Sequence, residues 1–136
     1  MRIIGFNLLK VSIERKEKLE GELKIDQNID IKDVQKEEVT ISTDDALKIK
    51  FKFTIDYSNQ LAKLEFEGFL IILTEKSELD DFLKSWKDKQ IPAESKVLIF
   101  NFIMNKCNVK ALSLEDDMAL PLHIPLPRIT PPQEQK

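Results

Sequence analysis

ALKIKFKFTIDYSNQLAKLEFEGFLIILTE, residues 46–75, reads as two strands joined by a tight turn. In its first half Leu47, Ile49, Phe51, Phe53, Ile55 and Tyr57 alternate with Lys48, Lys50, Lys52, Thr54 and Asp56. In its second half Ala62, Leu64 and Phe66 alternate with Lys63, Glu65 and Glu67. A period of two is the signature of a strand with one face on a core. A turn at Ser58-Asn59 predicts Phe53 opposite Leu64, Phe51 opposite Phe66, Lys52 opposite Glu65 and Lys50 opposite Glu67. Each such cross-strand pair contributes about 0.2–1 kcal/mol. After Gly68 the pattern changes, because Phe69-Leu70-Ile71-Ile72-Leu73 is apolar on both faces. The second face of that run is expected to be covered, by a helix or by another subunit.

Upstream, residues 2–14 read as a strand in which Leu9, Val11 and Ile13 alternate with Lys10, Ser12 and Glu14, followed by the charged loop RKEKLEGE. Residues 23–34 alternate again through Ile29 and Ile31, with Val39 and Ile41 extending the pattern. Downstream, Ser77 with Asp80 predicts a helix start, and Leu79, Phe82, Leu83 and Trp86 form one apolar stripe. Ile91-Pro92 ends that helix, and Pro92 suits the first position of the next. The second helix, about 93–116, carries VLIFNFIM at 97–104 and is apolar nearly all round, which predicts a place between the sheet and a second layer. LPLHIPLPRITPP, 120–132, holds too much proline for a helix or an interior strand and reads as an extended arm on an apolar surface. These elements predict an α+β fold, one domain over 1–130 with a frayed tail at 131–136.

The 136 residues carry a net charge of −3, from 21 Lys and Arg against 24 Asp and Glu, which disfavours nucleic acid as a partner. Cys107 is the single cysteine, so no intrachain disulfide is possible and a reducing, cytoplasmic setting is expected. The longest apolar runs fall far short of the roughly 20 residues that span a bilayer, so no membrane insertion is expected.

A search for chemistry finds little. His123 is the only histidine and reads as a partly exposed arm residue; Cys107, on the apolar helix, reads as buried and structural. Asp44-Asp45, Asp80-Asp81 and Asp116-Asp117 suit a turn, a helix start and a helix end better than a cation site or an acid/base dyad. Glycine-rich phosphate loops are absent. The lysine row at 48, 50 and 52 reads as a solvated face paired with glutamates. No catalytic, cofactor-binding or metal-binding residue is assigned, which points to a protein that works by binding and is not an enzyme. Its excess apolar surface suits a subunit interface, a groove for apolar polypeptide, or both.

LLKVSIERK (8–16), LKIKFKFTID (47–56), LEFEGFLIIL (64–73) and IFNFIMNKCNVKALSLEDDMALPLHIPLPRI (99–129) together resemble, in order, the SecB-like protein-export chaperones and their short archaeal relatives. The resemblance implies an antiparallel four-stranded sheet followed by two helices packed on one face, assembled as a dimer or tetramer. It implies ATP-independent holding of non-native polypeptides in apolar grooves, with no cofactor. Phe69, Ile71 and Leu73, with Leu122, Ile124 and Leu126 of the arm, correspond by segment to groove or interface positions. The helix that follows the proline loop in bacterial members has no counterpart here, so docking to a SecA-type export motor is not implied. The alternatives are an adaptor with one dedicated protein partner, and an enzyme whose site is assembled between chains from His123 and an acidic pair.

Overall fold

A computed structural model describes residues 1–18, 20–38 and 45–132; the expected extension through Val39 and Ile41, and Asp44 of the first acidic pair, lie outside them. Four strands, β1 (Arg2–Arg15), β2 (Ile25–Glu37), β3 (Asp45–Tyr57) and β4 (Ala62–Thr74), precede two helices, α1 (Lys76–Trp86) and α2 (Ala93–Asp117). The sheet is antiparallel throughout, in the order β1-β4-β3-β2. Among the described residues, no helix is long and apolar enough to cross a membrane.

The hairpin forms with the predicted faces and a different register. Phe53 pairs with Phe66, Ile55 with Leu64 and Lys52 with Glu67, two residues away from the alignment expected for a Ser58-Asn59 turn. A shift of two conserves every face, which is why the pattern alone could not choose between the alignments. The longer loop has a physical cause. It contains a short helical turn, Ser58–Gln60, with Asn59 and Gln60 at φ of 56° and 57°, and it lets Leu61 turn inward to 3% exposure. Because β1 and β2 are the two edges, their connection must cross the end of this hairpin. Ser58 meets it on both sides: its Oγ accepts from the Lys24 N–H (2.8 Å) and donates to the Glu22 carbonyl (2.8 Å). The Asn59 amide also donates to the Glu20 carbonyl.

Bulges retune the edge strands. β1 carries an extra residue between Ile3 and Gly5 and another between Leu8 and Lys10. The second corrects the expected alternation: Leu8 packs against the core, whereas Leu9, expected inside, is 69% exposed. In β2 a bulge between Ile31 and Asp33 brings Val34 inward after Ile29 and Ile31. Gly68 is required beside the second β1 bulge, since a Cβ there would lie 2.1 Å from the Asn7 carbonyl oxygen. Gly68→Ala is expected to lower stability by about 1–3 kcal/mol, because backbone has to move; urea unfolding at matched slope measures it.

Both helices cover the face formed by Leu47, Ile49, Phe51, Phe53, Ile55, Leu64, Phe66, Leu70 and Ile72, all at 0–1% exposure. α1 contributes Leu79 and Phe82, and its N-cap is Glu75, earlier than the expected Ser77. The Glu78 carboxylate explains the choice, accepting the Glu75 N–H (3.2 Å) and the chain's N-terminal ammonium (3.2 Å). Pro92 stands at the N-cap of α2, one position outside the helix, its carbonyl accepting from Ser95 and Lys96. α2 buries Ile99, Ile103, Cys107, Ala111 and Glu115, spaced four apart. The second layer expected over α2 is not supplied by the described residues: Val97 (65%), Leu98 (49%) and Val109 (72%) remain exposed. They sit on a helix whose apolar residues outnumber the places one sheet can offer.

Candidate functional site

Strand alternation sends Lys63, Glu65, Glu67, Phe69, Ile71 and Leu73 of β4 to the face away from the helices. That outer face has two unlike halves. In the half near the hairpin turn, three ammonium groups converge on Glu65, from Lys10 (3.1 Å), Lys63 (3.3 Å) and Lys52 (3.6 Å), and Lys52 also reaches Glu67 (3.9 Å). The Lys10 hydrogen bond, followed by Lys63 and Lys52, holds the Glu65 carboxyl below the usual carboxylate range. This half is charged and mutually paired, but of the lysine row expected to pair with glutamates only Lys52 does so, Lys48 and Lys50 standing beside the apolar half instead.

The other half is apolar. Phe69 and Ile71 are half-buried, and Leu73 is down to 7% exposure. Register places Lys50 beside Phe69 and Lys48 beside Ile71 on one flank, with Asn7 and Gly5 on the other. The Lys48 ammonium stands 4.3 Å from the centre of the Phe69 ring, a cation–π contact. Neither helix covers this face, correcting one of the two covers expected for the doubly apolar run. Leu73 has little surface left to offer a ligand.

Helix period carries a carboxylate into the interior at the other end of the molecule. Glu115, next on the four-residue stripe, is 0% exposed. It accepts the His123 backbone N–H (2.9 Å) and meets the imidazole Nδ1 at 2.7 and 2.8 Å; Nε2 faces the Asn108 amide oxygen at 2.8 Å. The His123 side chain is 1% exposed, which overturns its reading as a partly exposed arm residue. Glu115 and Asn108 lie seven residues apart on one side of α2, so one ring bridges two turns of helix. Tyr57 donates its O–H to the Pro121 carbonyl, and burial, then the nearby Glu115 carboxylate, raise the phenol's pKa far above its ordinary value. Arg15 donates to the carbonyls of Met118 (2.7 Å) and Ala119 (3.1 Å). Among the described residues every buried side-chain nitrogen and oxygen has a partner.

These bonds fasten the start of the arm. Leu120 is buried and Leu122 and Ile124 are half-buried, but from Pro125 the chain is exposed, with Leu126 at 55% and Ile129 at 99%. The arm therefore lies on the body only as far as Ile124. The six residues expected to form a groove or interface fall into two groups. Phe69, Ile71 and Leu73 occupy the outer sheet face, whereas the arm begins beside Tyr57 on the helix face. At about 3.3 Å per residue, the length of β3 from Lys48 to Tyr57 separates them by roughly 30 Å.

Elsewhere, a cavity of ≈ 620 Å³ at the hairpin end is lined by Arg15, Lys16, Asp56, Tyr57 and Lys63 among others, with mixed charge. No metal-holding cluster of His, Cys, Asp or Glu occurs among the described residues. Cys107 is fully buried, and burial pushes its thiol up to about 12. Iodoacetamide at neutral pH is therefore expected to leave it unmodified in the native protein and to label it only in denaturant, a contrast that intact-mass spectrometry reads directly.

No protein-family model matches the chain, and no curated protein sequence matches it. A similar solved structure is that of the Mycobacterium tuberculosis Rv1957 SecB-like chaperone in complex with a ChAD peptide from the Rv1956 HigA1 antitoxin. It aligns at a TM-score of 0.55 with 15% identity, over 95% of this chain and 89% of that one. The four-stranded antiparallel sheet followed by two helices is thus a SecB-like α+β fold.

Proposed function

We propose that this protein is an ATP-independent, holdase-type chaperone that binds unfolded or partly folded polypeptides through exposed apolar surface. The observation that carries this reading is the outer sheet face, where Phe69 and Ile71 stand uncovered by the chain's own helices beside a fully charged half. An apolar patch with a polar rim on a SecB-like fold suits capture of apolar segments, and the similar chaperone holds a peptide from a partner protein. The work asked of the site is non-catalytic and needs neither nucleotide nor metal.

Phe69, Ile71 and Leu73 form the client surface in this proposal, and Leu122, Ile124 and Leu126 of the arm serve client or subunit contact. The exposed Val97, Leu98 and Val109 of α2 suit a homo-oligomer, a dimer or tetramer, in the cytoplasm. The alternative is an adaptor for one dedicated protein, favoured by the fact that the similar chaperone's peptide comes from a single antitoxin.

Titration of a panel of permanently unfolded, cysteine-blocked proteins separates the two. A holdase binds many of them weakly and without ATP, and Ile71→Asp weakens all of them. Silence towards the whole panel removes the holdase reading and leaves the dedicated partner.

A further inference from the structure

We infer that the apolar half of the outer sheet face selects polypeptide segments in which apolar residues are flanked by Asp or Glu. This rests on the polypeptide-binding reading above and adds the chemistry of the preferred client.

The register makes the case. On the outer face, Phe69, Ile71 and Leu73 have as their cross-strand neighbours Asn7, Gly5 and Arg2 on β1, and Lys50, Lys48 and Ala46 on β3. Three of these six are basic and none is acidic. In the other half the cations are matched: Lys10, Lys52 and Lys63 converge on Glu65, and Lys52 also reaches Glu67. Around the apolar half no close ion pair forms: no carboxylate among the described residues lies within 4.0 Å of the charged groups of Arg2, Lys48 or Lys50.

The nearest acidic groups are Glu67, which adjoins Phe69 on the same face and pairs with Lys52, and Asp33, one strand further out. Asp33 pairs in register with Lys50. Its carboxyl is held below the usual range first by the Gln35 hydrogen bond, then by the Val34 N–H (2.9 Å) and the Lys50 charge, so Lys50 is partly compensated. Neither Lys48 nor Arg2 acts on Asp33 in this way. Glu37 pairs with Ala46 at the far margin. Lys48 stands over the Phe69 ring. A segment lying over Phe69 and Ile71 therefore meets Lys50 and Lys48 along its β3 flank, with Arg2 beside Leu73 at the end of the row. Complementary rim charge sets preference and association rate more than it sets total affinity.

The test uses three fluorescein-labelled peptides sharing one Leu/Phe/Ile core and flanked by pairs of Glu, Ser or Lys, titrated with the full chain by anisotropy. The Glu-flanked peptide should bind tightest and the Lys-flanked one weakest, about tenfold apart at low salt. That gap should narrow as salt screens the rim. K48E combined with K50E should reverse the order, with circular dichroism checking that the sheet is intact. Equal affinities for all three peptides, abolished together by Ile71→Asp, would overturn the charge preference and leave apolar capture standing. Binding of none would remove the polypeptide reading itself, and the preference with it.

Discussion

Glu115→Ala should destabilise the protein by about 3–5 kcal/mol, the range for breaking a buried, hydrogen-bonded pair by removing one member. The substitution strands two groups at once. The His123 backbone N–H and the imidazole Nδ1 lose their acceptor in a site where Glu115 is 0% and the His123 side chain 1% exposed. Each orphaned buried group carries a desolvation penalty of about 1–3 kcal/mol. Glu115→Leu together with His123→Leu should recover much of the loss, because an apolar pair of similar volume leaves nothing unpaired. Chemical denaturation gives the energies, and hydrogen exchange locates the effect, with lost protection at His123 in Glu115→Ala. If the single variant and the double variant are equally destabilised, the network is not what fastens the arm.

Phe51→Ala should cost a similar amount, about 3–5 kcal/mol, but through packing. Phe51 is 1% exposed in the middle of β3 and stacks on Phe6 of β1 at 5.6 Å between ring centres. Phe6 in turn meets Phe102 of α2 edge-on at 5.9 Å. Three rings thus tie an edge strand, a central strand and the long helix together. Truncating the Phe51 ring opens a cavity that rigid sheet neighbours cannot fill. A double-mutant cycle between Phe51 and Phe6 should return a coupling of about 0.5–1.5 kcal/mol beyond area burial. Additive effects would show that the stack carries no energy of its own.

Period told the faces of the strands and could not tell their register. The hairpin's apolar and charged rows were legible in 46–75, because alternation survives any slip by two. What set the alignment was Leu61, one residue whose burial needs a longer loop, together with the crossing of the β1–β2 connection over that loop. The bulge at Leu9 was hidden for a related reason: Leu8 and Leu9 are chemically alike, and only Gly68 on the neighbouring strand marks where the backbones crowd.

The arm's anchor escaped for the opposite reason. The prolines around His123 point to an exposed arm, whereas its partner Glu115 is visible only as the fifth member of a four-residue series from Ile99. A glutamate on an otherwise apolar stripe was the available signal. The apolar run 69–73 announced a second face correctly, but alternation holds no information about what covers it.

The central claim is that the uncovered part of the outer sheet face holds non-native polypeptide. The most direct measurement follows light scattering as a chemically denatured model protein is diluted into buffer containing stoichiometric protein and no ATP. The account predicts suppression by the wild type and its loss in Ile71→Asp, with native mass unchanged between the two. Full aggregation of several clients in the presence of the wild type, or undiminished suppression by Ile71→Asp, would contradict it.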